Sequence, residues 1–206
     1  MRRARTVRAL PDFSAFNTPK ICDNINPMKS AQLQKSVIKT PSDRLFADFI
    51  KLYDASFPAY ERRTAALHEI ALSDPRYTQE VWTFGGDIAA LNSYWTFPSY
   101  IFLEHYAVGQ NLRGRGIGTR LLSEFVRSAG KPCILEIDPP VDEVSIRRLH
   151  FYERVGFKAT PFYISQIYIP GYEDQKMLIL SHPDAISEEA FGEFESDYKN
   201  IIMRKS

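Results

Sequence analysis

Residues 110–122, QNLRGRGIGTRLL, set Gly114, Gly116 and Gly118 at alternate positions, with Arg113 and Arg115 among them. Glycines so spaced allow left-handed turns and let a bulky ligand approach without meeting Cβ atoms. The residues that follow carry a helical apolar period. Free N–H groups at a helix start, at the positive end of its dipole, make a cradle for phosphate. Arg113 and Arg115 add cationic donors to its rim. A simple glycine turn would explain one of these glycines, not three beside two arginines. Spacing removes two phosphate motifs. A Walker loop requires GxxxxGK[ST], and no lysine stands here. A GxGxxG fingerprint counted from Gly114 meets Thr119 where its third glycine belongs.

Two carboxylates fall in otherwise apolar stretches, Glu104 in IFLEHYAV and Glu136 in ILEID. Burying a carboxylate costs several kcal/mol unless it is paired or used, so each is a structural partner or a working acid–base group. Period-two alternation puts Phe102, Glu104 and Tyr106 on one strand face and His105 on the other, which reads His105 as structural. Ile134, Glu136 and Asp138 share a face by the same rule. His68, His105, His150 and His182 do not cluster, and Cys22 and Cys133 have neither zinc nor disulfide spacing, so no metal is expected.

Arg113 to Gly118 fits the pattern [RQ]xxGx[GA], and ILEID followed by RRLHFYERVGF stands at a matching distance downstream. On these motifs the chain resembles the GNAT acetyltransferases, specifically from about Tyr100 to Phe157 and loosely, by element order, from Leu33 to Leu180. The resemblance implies an α/β (α+β) acyl-CoA N-acyltransferase fold: a central, mixed, twisted sheet flanked by helices. It implies acetyl-CoA as co-substrate, with its pyrophosphate on Arg113, Gly114, Arg115, Gly116, Ile117, Gly118 and Thr119. Its pantetheine arm would lie along Tyr106, Ala107 and Val108 like an added strand. A backbone N–H at a bulge of the fourth strand would polarise the thioester, with Val108 at the matching place. Tyr152 would protonate the departing thiolate, and Glu104 or Glu136 would deprotonate the amine.

The resemblance also puts the acceptor between the segment joining the first two helices and the loop joining the last two strands. Tyr60, Glu61, Arg62, Tyr172, Glu173 and Asp174 are the candidates there, and their mixed charges admit a cationic amine or a zwitterion. The function implied is acetyl transfer to a primary amine of a small molecule or of a peptide or protein, in a direct ternary complex. Its rival is a non-catalytic acyl-CoA sensor, which would keep the glycine loop and need no Tyr152. A homodimer is left open.

The elements that must position these residues follow from pattern. RLFADFIKLYDASF and TAALHEIAL read as two helices; YTQEVWTF and IAALNSYWTF as a hairpin about Gly85 and Gly86; YIFLEHYAV as the strand feeding the loop. After the loop, Ile117, Leu121, Leu122, Phe125 and Val126 form one helical stripe ending at Gly130, with Arg120 turned to solvent. PCILEID is a strand, VSIRRLHFYERV a helix capped by Gly156, FYISQIYI and QKMLILS two strands, and Ile186 to Met203 a helix. LQKSVIKTP makes a first strand. Residues 1–30 are expected as a loosely structured extension, and 31–206 as the domain with its C-terminal helix.

With 206 residues, 44% of them hydrophobic, the chain can bury a sizeable core. A formal charge of +1 argues against a general nucleic-acid or anionic-membrane surface. No apolar run reaches the roughly 18 residues of a membrane helix. Two cysteines without a disulfide framework fit a reducing cytoplasm, and the first ten residues hold four arginines without the apolar core of a secretory signal.

Overall fold

The computed structural model describes residues 33–165 and 175–203. Seven strands form one sheet: β1 (Gln34–Ile38), β2 (Tyr77–Phe84), β3 (Asp87–Thr96), β4 (Ile101–Val108), β5 (Cys133–Ile137), β6 (Lys158–Ser165) and β7 (Lys176–His182). Their order is β1-β2-β3-β4-β5-β7-β6, antiparallel throughout except for β4 beside β5. The expected mixed sheet is what forms. Five helices flank it: α1 (Phe46–Ser56), α2 (Ala65–Ser73), α3 (Ile117–Ala129), α4 (Glu143–Val155) and α5 (Glu188–Asp197), the last continuing into a wider π turn, Tyr198–Ile202.

Local chemistry sets these boundaries. Gly85 and Gly86 both take positive φ, as a two-residue hairpin loop closed by the Phe84–Asp87 pair requires. Thr64 caps α2 through the Leu67 N–H. Asp142 and Ser145 form a reciprocal box at the start of α4, and left-handed Gly130 and Gly156 end α3 and α4. β6 begins at Lys158, ahead of the expected Phe162. Its pairing with β7 is irregular between Ala159 and Tyr163, and Pro161, which has no N–H to give a ladder, falls in that irregularity.

Two apolar layers sandwich the sheet. On one face α1, α2 and α5 bury Phe49, Tyr53, Leu91, Trp95, Phe102, Ile134, Phe194 and Tyr198. On the other, α3 and α4 bury Leu103, Leu122, Phe125, Leu135, Ile137, Val155 and Phe157. Each large side chain so covered contributes about 1.5–3 kcal/mol. Arg120 departs from expectation: it is half-buried, with its Nε enclosed beside Trp82, Leu121 and Phe125 rather than in solvent.

Two irregularities of β4 position the site. Its pairing with β5 is confined to Ile101–Cys133 and Phe102–Ile134, so the strands part beyond those pairs. Along β3, Ser93 pairs with His105 but Tyr94 pairs with Leu103, which leaves Glu104 as the extra residue of a β-bulge. The bulge turns Glu104 and His105 to the α1 face together and sends Tyr106 to the α3 face. Strict alternation had put His105 opposite Glu104 and Tyr106 beside it. It also moves the bulge away from Val108, which pairs regularly with Ala90.

Candidate active site

Where β4 and β5 part, a cavity of about 690 Å³ opens. Glu104 to Val108 form one wall and Glu136 with Ile137 the other. Arg113, Gly114, Gly116, Gly118 and Thr119 close one end, and Glu61, Arg148 and Tyr152 lie toward the opposite one. Most of the residues singled out in the sequence therefore meet in one place.

The glycine end has the geometry of an anion cradle. Gly114 and Gly116 take φ of +74° and +72°, and a Cβ on either would meet nothing within 4 Å, so both face open space. Gly116 is the N-cap of α3 and carries no side-chain cap, so no cap side chain claims the N–H groups of the first turn. Gly118 answers a different need: its Cβ would stand 3.2 Å from Val108 Cγ2 and 3.6 Å from the Phe151 ring, so glycine lets α3 close on β4. Arg113 Nε donates to the Val108 carbonyl at 2.9 Å, tying the loop to the strand end. Ile117 packs under the sheet with Trp82, Ala90 and Leu121, so only its backbone belongs to the loop. Arg115 is exposed and does not line the cavity.

The strand wall offers backbone rather than side chains. Gly109 N–H donates to the Ala89 carbonyl at 2.8 Å, and ladder alternation from that bond turns the Tyr106 and Val108 amides away from β3, toward the parting. The Tyr106 hydroxyl donates to the Gly118 carbonyl at 2.7 Å and its ring stacks on Phe151, so this side chain fastens β4 to α3.

Three acids differ by environment. Arg63 reaches Glu104 Oε1 at 2.7 Å, and Trp95 Nε1 donates to Oε2 at 2.8 Å; the Glu104 side chain is 3% exposed. Glu136 has one oxygen bonded by the Tyr198 hydroxyl at 3.1 Å, while Oε2 is enclosed with no partner among the described residues. Burial pushes the Glu136 carboxyl up to about 8. Glu61, in the 3-10 turn Ala59–Glu61, is pushed up to about 7 by burial and then by Asp138. Burial also pushes the Tyr152 phenol up to about 12, keeping it protonated at neutral pH.

The remaining candidates divide. Arg62 pairs with Asp54 at 2.7 Å and leaves the cavity. Tyr60 stands beside Glu61 and Gln175 without lining it. Tyr172, Glu173 and Asp174 lie outside the described residues. Sequence reasoning missed Arg148, whose guanidinium holds Asp138 at 2.6 Å, and Arg63; a basic residue four positions ahead of Tyr152 on the same helix was the available signal for Arg148. Among the described residues no group of three His, Cys, Asp or Glu could hold a metal ion, and no helix is long and apolar enough to cross a membrane.

Comparison with known proteins agrees with this arrangement. The model of the Acetyltransferase (GNAT) family matches residues 43–157, more than half the chain and the span that contains the loop, the parting strands and α4. YjbC of Bacillus subtilis (strain 168), named as a candidate acetyltransferase, is 35% identical over 115 residues, covering 53% of this chain. The match spans 59% of that relative's length. A solved structure of a Bacteroides thetaiotaomicron protein, assigned as a GNAT-family acetyltransferase, superposes with a TM-score of 0.74 at 25% identity, covering 84% of this chain and 99% of that one. Arabidopsis thaliana Naa50, solved with the bisubstrate analogue CoA-Ac-MVNAL, shares the fold with a TM-score of 0.55 at 14% identity, covering 73% and 97%. The chain belongs to the GNAT family of acetyltransferases.

Proposed function

We propose that this protein transfers the acetyl group of acetyl-CoA to a primary amine of a small molecule or peptide, in a direct ternary complex. One observation carries the reading: the glycine cradle opens into the same cavity that holds Tyr152 and Glu136, across the parting of β4 and β5.

The residues fit the co-substrate. The α3 first-turn N–H groups, with Arg113 at the rim, take the pyrophosphate; Gly114 and Gly116 leave room for it. The free edge of β4 offers the Val108 and Tyr106 amides to the pantetheine arm, and the Tyr106 N–H, nearer the bulge at Glu104 and farther from the glycine loop, is a donor for the thioester oxygen. Acetyl-CoA supplies the acetyl group as a thioester. Such a donor is worth about 3–4 kcal/mol where charge develops on an acyl oxygen.

We assign the base to Glu136 rather than Glu104. The Glu104 carboxylate is committed to Arg63 and Trp95, whereas Glu136 keeps one oxygen unpartnered at the cavity wall and its raised pKa suits a proton acceptor near neutral pH. Tyr152 holds its proton until a thiolate forms and then delivers it.

Thiol release from acetyl-CoA across a panel of primary amines tests the reading. Release that depends on an amine, and a kcat about 10²-fold lower in Tyr152→Phe, are expected. Binding of acetyl-CoA with no amine-dependent release would make the protein an acyl-CoA sensor instead.

A further inference from the structure

We infer that Glu61 is the carboxylate that receives the acceptor's ammonium group, so that the amine enters the cleft as a cation and carries no carboxylate at that end. This rests on the acetyltransferase reading above and adds the charge class of the acceptor to it.

The segment bearing Glu61 is clamped from beneath. His105 Nε2 stands 3.1 Å from the Glu61 carbonyl oxygen. The same nitrogen stands 3.1 Å from the Tyr53 hydroxyl, so the ring ties the Glu61 backbone to α1. Two residues later the Arg63 N–H donates to the Tyr53 hydroxyl at 2.9 Å, and its guanidinium binds Glu104 and the Ile202 carbonyl, the latter at 3.1 Å. The bulge thus delivers both clamp residues, Glu104 and His105, to the loop that faces the acceptor. Between the two anchors Arg62 turns back to Asp54. Glu61 is left at the cavity wall.

The charges around it are already matched. Asp138 is held by Arg148 at 2.6 Å and accepts from Gln175 at 3.1 Å. Glu104 is matched by Arg63. Arg147, on α4, stands 3.4 Å from Glu143. Among the described residues Glu61 has no cation at salt-bridge distance; Tyr60 hydrogen-bonds its carboxyl and Arg148 favours its charge from farther off, yet the cost of burial, with Asp138, outweighs both and keeps its pKa raised. An incoming ammonium relieves that cost, while a carboxylate at the same end would meet Glu61 and Asp138 together.

Calorimetry on the full chain saturated with CoA tests this, with 1,5-diaminopentane and 2-aminohexanoate, an amino acid whose carboxylate sits beside its ammonium, as probes. The diamine should bind at least tenfold more tightly than the amino acid. Glu61→Gln should weaken diamine binding at least tenfold, Glu61→Asp should retain most of it, and acetyl-CoA affinity should be equal in all three proteins. Equal affinity for the two probes, undiminished diamine binding in Glu61→Gln, or no diamine binding by the unmodified protein would overturn the inference. Failure of the unmodified protein to bind acetyl-CoA would instead sink the underlying reading.

Discussion

Arg63 and Glu104 form an ion pair with a 2.7 Å separation in which the two side chains are only 2% and 3% exposed. The Arg63 guanidinium also lies 5.6 Å from the centre of the Trp95 ring and 5.8 Å from that of Tyr77. A pair this deep is a fixture of the fold beneath the cleft, and it couples the β4 bulge to the loop between α1 and α2.

Glu104→Ala should therefore act on stability first. Removing one partner of a buried pair leaves the other charge uncompensated, at a cost of about 3–5 kcal/mol. Urea unfolding should show that loss, and a stability unchanged within 1 kcal/mol would mean the pair is not buried in solution.

The pH dependence of turnover should separate Glu136 from Tyr152. A base must be deprotonated, so kcat should rise with pH through about 8 and hold, because the Tyr152 phenol titrates only near 12. Glu136→Gln should abolish that rise and lower kcat by about 10²–10⁴. An unaltered profile in this variant would remove Glu136 from the role.

His68 gives a stability prediction of opposite origin. It is 2% exposed, packs edge-on against Phe46, Phe49 and Tyr53, and burial lowers its pKa to about 4. Its folded value lies below the unfolded one, near 6.5, so the unfolded chain binds the proton first and stability falls as pH drops from about 6.5 to 4. That contributes roughly 2 kcal/mol of destabilisation between pH 7 and pH 5. His68→Leu should narrow the difference in denaturation midpoint between those pH values; an unchanged difference would show that His68 is not held neutral.

Gly116→Ala tests the cradle. With φ at +72° an L-residue there is strained by about 1 kcal/mol, and relaxation of the loop would turn first-turn amides from their common direction. Acetyl-CoA affinity should fall tenfold or more, with overall stability reduced by only that strain. An undiminished affinity would mean the cradle does not bind the pyrophosphate.

Much of this was legible in the chain because its signals are local. Gly85 with Gly86, Gly130 and Gly156 mark turns that need positive φ, and the stripe from Ile117 to Val126 has helical period. The glycine loop was readable for the same reason. What escaped was long-range. The bulge at Glu104 depends on which β3 residue pairs with which β4 residue, and one extra residue there reverses the faces of His105 and Tyr106 relative to simple alternation. That Glu104 is taken by Arg63, forty-one positions earlier, could not be seen from an apolar strand containing one acid. Arg120 misled in another way: its helical phase points off the core stripe, yet β1 and β2 rise beside it and enclose part of its guanidinium stem.

The central claim is that acetyl-CoA occupies the cavity between the glycine loop and the parted strands. A crystal structure of the protein with acetyl-CoA tests it most directly. The account predicts the pyrophosphate on the amides of residues 114–119, the pantetheine arm along Tyr106 to Val108, and the sulfur within hydrogen-bond reach of the Tyr152 hydroxyl. Acetyl-CoA bound elsewhere, or a sulfur remote from Tyr152, would contradict it.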